Sequence, residues 1–151
     1  MQAFLELRKA KKAEPDRVQL GGLVAAPRAL TFFELSTIPM TQQVPDVRAR
    51  VPGREGRAVQ LGALLDMAQP QAGATHVQVS TADGSFTSSV SLEEARRGLL
   101  VYAVDGGPLP AERGGPFRLL IPEGSDRCAN VKAVGSIEVT AASGAKTASA
   151  C

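Results

Sequence analysis

Two spacings of apolar residues alternate along the chain, and each change of spacing marks a change of element. Val18 and Leu20 flank Gln19 in the every-second-residue pattern of a strand, which runs on into Gly21-Gly22-Leu23-Val24 before a turn at Pro27. Residues 30–35 read as a helix start: Thr31 is placed as N-cap and Glu34, three residues on, completes a capping box. Pro39 is expected to end that helix. Residues 44–51 alternate apolar and polar and predict a half-buried strand, followed by the turn-rich, charged loop Pro52-Gly53-Arg54-Glu55-Gly56-Arg57. Leu61, Leu64, Leu65 and Ala68 share one helical face, and Pro70 stops that helix.

The second half is more strand-like. Residues 76–80 alternate, Asp83-Gly84 supplies a tight turn, and residues 86–90 return antiparallel. Ser91 and Glu94 repeat the capping pattern and open a short helix that ends at Gly98. Residues 99–104 form an uninterrupted apolar strand, turned by Asp105-Gly106-Gly107-Pro108, and residues 117–121 and 136–139 complete the strand set. No internal repeat or long linker divides the chain. These elements predict a single α+β domain over residues 18–140, with a basic helical extension at 1–17 and a small-residue tail at 141–151.

Composition narrows the reading. Fifteen Gly and ten Pro in 151 residues fit many turns joining short elements, as in a mixed domain. No apolar run is long enough for a transmembrane helix. Two cysteines and one histidine exclude a disulfide scaffold and a cysteine-based zinc site. The net charge is +2, and residues 1–17 hold five basic groups against three acids, so the rest of the chain is balanced. A balanced body argues against nucleic acid as a partner. The charges of the N-terminus follow its apolar residues Phe4, Leu5 and Leu7, unlike a signal peptide, and predict a cytoplasmic protein with reduced thiols.

Candidate chemistry is sparse. His76 stands alone in a strand, which reads as a half-exposed strand residue. Cys128 has Arg127 beside it, a neighbour able to favour the thiolate, though a packed or incidental thiol is the simpler reading. Cys151 sits on the tail, and no nucleophile elbow, Walker or dinucleotide fingerprint occurs. The one convergent set lies late in the chain. Glycine-rich segments flank an apolar strand and carry Arg113, Arg118, Arg127 and Lys132, with Arg54 and Arg57 on an earlier loop able to join them. Backbone amides and guanidinium forks together suit an anionic or phosphate-bearing small ligand; the alternative is a set of solvated surface cations.

The segment from Tyr102 through Asp105-Gly106-Gly107-Pro108-Leu109-Pro110, then Arg113-Gly114-Gly115-Pro116-Phe117-Arg118 and Ile121-Pro122, then Val131-Lys132 and Ile137-Glu138-Val139, resembles the sulfite-oxidase-type molybdopterin-binding oxidoreductase domain. Gly22-Leu23-Val24, Leu30-Thr31 and Glu34-Leu35 resemble its opening strand and first helix, and Asp83-Gly84 its central hairpin. The resemblance implies a compact mixed α/β domain of that type. It also implies a pterin cofactor whose phosphate is gripped by His, Arg and Lys side chains and backbone. Arg118 and Lys132 match the family's arginine and late lysine, whereas Arg113 stands where the family has His.

Two further positions depart from the pattern. Val51 stands nearest the place of the metal-ligating Cys, and Phe86 lies in the stretch that carries the substrate-side Tyr. An alkyl side chain cannot replace a thiolate ligand. The expectation is therefore a molybdopterin-binding-like domain that acts as a binding or interaction module, with molybdopterin as the implied cofactor and no molybdenum. The alternatives are a molybdopterin-dependent oxidoreductase and a structural remnant whose anion pocket is closed.

Overall fold

Strand alternation sorts the described strands into two sheets whose inner faces share one core. The computed structural model describes residues 16–122 and 130–141; the basic segment 1–15, residues 123–129 with Arg127 and Cys128, and the tail from 142 lie outside them. The first sheet contains β1 (Arg17–Gly22), β2 (Arg28–Thr31), β5 (His76–Thr81), β6 (Thr87–Ser91) and β10 (Val134–Thr140), in the order β2-β1-β10-β5-β6. Only β1 and β10 run parallel; the other neighbours are antiparallel. The second sheet contains β3 (Gln43–Val44), β4 (Arg57–Gln60), β7 (Leu99–Val104) and β8 (Gly107–Pro108), with β9 (Arg118–Leu120) also paired to β7. Among the described residues three short α-helices, α1 (Phe32–Ser36), α2 (Leu61–Ala68) and α3 (Leu92–Arg96), complete a mixed α/β domain.

The second sheet is buried on both faces, which explains the unbroken apolar run at residues 99–104. Leu100 and Tyr102 point into the main core with Val59, Leu119, Ile137 and the face of α2. Leu99 and Val101 point the other way, into a smaller cluster with Val44, Val47, Ala58, Leu109 and Leu120. The chain leading into β10 stitches the two sheets together. Leu119 N donates to Val131 O at 2.8 Å, Val131 N to Leu119 O at 3.0 Å, and Val134 N to Phe117 O at 2.8 Å.

The predicted caps are in place. Thr31 N donates to Glu34 Oε1 at 3.0 Å while Glu34 N donates to Thr31 Oγ1 at 3.2 Å, and Ser91 Oγ accepts from Glu94 N at 3.1 Å. In the β5–β6 turn, N–H of Ser85 and the hydroxyls of Ser85 and Thr81 hold the Asp83 carboxyl down to about 2.

Several predicted elements need correction. The strand expected over residues 44–51 stops at Val44, because Pro45 has no N–H for the ladder and the Asp46 side chain accepts from Arg48 N at 3.1 Å. Residues Val47–Ala49 form a 3₁₀ turn there, with Val47 fully buried. The first helix ends at Ser36, earlier than Pro39, and Thr37 Oγ1 donates back to Glu34 O at 2.7 Å. Arg17, read with the N-terminal extension, opens β1 opposite Thr31. Strand β2 lies in a stretch read as turn and helix start, and β4 begins in the predicted loop; both are short and form because a partner strand lies alongside. Among the described residues no helix is long and apolar enough to cross a membrane.

One core position is left with an unpartnered hydroxyl. Ser88 is 1% exposed, shares the core-facing side of β6 with Val90, and its Oγ has no hydrogen-bond partner among the described residues. A desolvated hydroxyl without a partner costs stability. Ser88→Ala is expected to raise the unfolding free energy by about 1 kcal/mol in urea titration. A loss of stability would show that the hydroxyl is satisfied in solution.

Candidate functional site

The glycine-rich turn after β8 brings the cations together. Pro110 leads into a 3₁₀ turn, Ala111–Arg113, closed by Gly114 at φ 91°. A Cβ at Gly114 would lie 2.9 Å from Arg118 Cδ and 3.2 Å from Lys132 Cγ, so the missing side chain lets both cationic stems pass over this turn. Ala133 N donates to Gly114 O at 2.8 Å, which fixes Lys132 beside it. Across from them, the turn at Gly53 carries Arg54 and Glu55.

These segments enclose a cleft of about 300 Å³ whose apolar lining includes Val101, Leu109 and Leu120. Arg54, Arg113, Arg118 and Lys132 line it together with Glu55 and Glu112, a net charge of +2. The charges are unevenly paired. Arg113 Nη1 forms an ion pair with Glu55 Oε1, both side chains about half exposed. Arg118 Nη1 donates to the Arg113 carbonyl at 3.3 Å. Burial and, second, the nearby charge of Arg54 lower the Arg118 pKa, yet a guanidinium so shifted stays protonated at neutral pH. Arg54 and Arg118 are thus like charges facing one concavity, and neither forms a side-chain ion pair among the described residues.

Arg57 does not join them. It faces a second cleft of about 520 Å³ on the other side of the same loop, lined also by Phe32, Tyr102, Asp46, Arg48, Glu55 and Asp105. The chain reverses its facing at Gly56, whose φ of 124° no ordinary side chain adopts easily, so Arg54 and Arg57 are sent apart. In this second cleft Phe32 meets Tyr102 edge-to-face at 5.6 Å between ring centroids. The Asp46 carboxyl accepts from Arg48 N–H and pairs with its guanidinium at 3.2 Å, which lowers the Asp46 pKa.

His76, Phe86 and Val51 do not line either cleft. His76 is half-buried on β5, its Nδ1 2.8 Å from Thr75 Oγ1. Phe86 packs against the main core, with its N–H donating to Thr81 Oγ1 at 3.1 Å. Val51 packs its alkyl side chain on the smaller core cluster and accepts Arg54 N at 3.1 Å. Arg127 and Cys128 are outside the described residues. Sequence reasoning passed over Glu55 and Glu112, because a carboxylate between arginines reads as ordinary surface charge until the fold shows what it touches.

Residues 7–147 match the family model of the oxidoreductase molybdopterin binding domain. The chain belongs to that family. No curated protein matches it. Among solved structures it is similar to the sulfane dehydrogenase SoxCD from Paracoccus pantotrophus, with a TM-score of 0.65 and 21% sequence identity, over 85% of this chain and 39% of that one. The chain therefore spans about two-fifths of that relative, and the likeness is one of fold. Set against a molybdopterin, the described residues offer donors for a phosphate and no thiolate. The basic cleft offers donors suited to a phosphate. Residues 16–122 and 130–141 contain no cysteine, and the side chain of Val51 is alkyl. No group of three or more His, Cys, Asp or Glu able to hold a metal ion occurs among the described residues.

Proposed function

We propose that this molybdopterin-binding-type domain acts as a binding module that holds the phosphate-bearing end of a pterin-like ligand, without molybdenum redox catalysis. The observation that carries this reading is that Arg54 and Arg118 face one cleft with no carboxylate partner among the described residues, while their neighbour Arg113 has one. Two crowded guanidinium groups repel each other, and a dianion between them replaces that repulsion with two charge-assisted hydrogen-bond forks. Lys132 adds a point charge at the same edge. The apolar lining around Val101, Leu109 and Leu120 keeps the local dielectric below that of water, which strengthens these interactions. The lack of a thiolate where the resemblance places one supports the non-redox half of the reading.

Thermal unfolding with and without inorganic phosphate tests the binding half. Phosphate is expected to raise the melting temperature of the native chain by mass action, and Arg118→Ala to weaken its affinity about tenfold or more. An unchanged phosphate response in Arg118→Ala would remove the cleft from consideration. Metal analysis of protein produced in a host that makes the cofactor tests the other half. Stoichiometric molybdenum would return the domain to the oxidoreductases.

A further inference from the structure

The loop at residues 53–57 is a partition between the two clefts, and its side chains divide between them. Arg54 lines the basic cleft and Arg57 the larger one, while Glu55 alone among the three borders both. Glu55 reaches across the basic cleft to the Arg113 guanidinium. Arg113 would otherwise add a third fork to the site that Arg54 and Arg118 share. Its contact with Glu55 is half exposed, and ion pairs of that kind are weak and easily exchanged. On the opposite side of the loop, Arg57 forms no ion pair among the described residues and lines the same cleft that Glu55 borders.

We infer that Glu55 is a built-in competitor for the anion site, holding the Arg113 fork until a phosphate-type dianion displaces it. The inference rests on the anion-binding reading above and adds to it a carboxylate that sets both affinity and charge selectivity. With Glu55 turned away, Arg54, Arg113, Arg118 and Lys132 face only Glu112 in the basic cleft, a cationic excess that rewards a dianion more than a monoanion. An arriving phosphate gains a bidentate partner in Arg113 that is stronger than the monodentate contact it replaces. The released carboxylate turns to the larger cleft, where Arg57 offers a new partner. Occupancy of the basic cleft is thereby linked to the charge of the second one.

Calorimetric titration with inorganic phosphate, at mildly alkaline pH where it is a dianion and at low ionic strength, tests this on the whole chain. Glu55→Gln keeps the shape of the side chain and removes its charge, and is expected to tighten phosphate binding about 5-fold. The gain is expected to vanish when Arg113→Ala is combined with it, because the competitor acts through that guanidinium. If Glu55→Gln and the native chain bind phosphate equally while Arg118→Ala loses it, the competitor is refuted and the anion site stands. An equal gain in the Arg113→Ala background also refutes it, since Glu55 would then act only by general charge. Absence of phosphate binding in both the native chain and Glu55→Gln overturns this inference and the anion-binding reading together.

Discussion

Gly115→Ala is expected to unfold the domain or cost it about 4 kcal/mol or more, the size reserved for a clash that side-chain rotation cannot relieve. A Cβ at this position would stand 1.8 Å from Leu109 O and 2.5 Å from Leu109 C, with Pro110 O at 2.8 Å. All three atoms are backbone, so the strand end and the turn would have to separate. Separation breaks the Gly115 N–H bond to Pro110 O, 2.9 Å long, and pulls Leu109 away from the smaller core cluster, where it is 4% exposed. The same movement displaces the turn that carries Arg113 and orders the stem of Arg118, so anion binding is expected to fall with stability. Gly107→Ala serves as the control from the neighbouring hairpin: nothing lies within 4 Å of its would-be Cβ and its φ is ordinary. It is expected to change stability by no more than about 0.5 kcal/mol. Urea unfolding of the two variants at equal slope decides the matter, and a stable Gly115→Ala would refute the close approach of the two segments.

Gln43→Ala is expected to cost about 3 kcal/mol, because one buried amide satisfies three groups from separate parts of the chain. Gln43 Nε2 donates to Leu35 O at 2.8 Å and Ile38 O at 3.2 Å, and its Oε1 accepts from Tyr102 Oη at 2.7 Å. Truncation leaves Ile38 O and a core tyrosine hydroxyl without the amide and takes one of its donors from Leu35 O, which keeps the Ile38 N–H at 3.3 Å, in a site where Gln43 is 5% exposed and Tyr102 1%. Tyr102→Phe removes one bond only and is expected to cost about 1 to 2 kcal/mol. The two losses share a bond, so the double variant is expected to lose less than the sum of the singles. Gln42→Ala, at an exposed neighbouring position, is expected to be neutral within about 0.5 kcal/mol. Strict additivity, or a cost for Gln43→Ala no greater than for Gln42→Ala, would show that the amide does not bridge these elements.

The basic cleft shows how far a linear reading reaches. Arg113, Arg118 and Lys132 were legible as a set because glycine-rich turns and one short strand keep them within twenty residues of each other. Arg54 was legible as an arginine on a charged loop, but its place opposite Arg118 depends on β4 pairing with β7 and β7 with β9. Arg57 was grouped with it by proximity in sequence, and the turn at Gly56 separates them. Glu55 carried no signal by which its contact with Arg113, fifty-eight positions away, could be foreseen. The strand expected over residues 44–51 failed for a local reason, since Pro45 and the Asp46 side chain compete with the ladder, whereas β2 and β4 were missed because so few residues leave no period to detect.

Local chemistry therefore determined the caps at Thr31 and Ser91, the Asp83-Gly84 turn, the doubly buried strand at 99–104 and the family resemblance carried by residues 102–122. Each depends on side chains that interact within a few positions, or on a burial pattern written directly into residue type. Tertiary structure alone decided which charges meet: that Arg54 and Arg118 share a cleft, that Glu55 occupies Arg113, and that Arg57 faces the other way. Charge pairing across a fold depends on distance in space, and that distance is set by strand register and by a few glycines whose missing side chains let distant backbones approach.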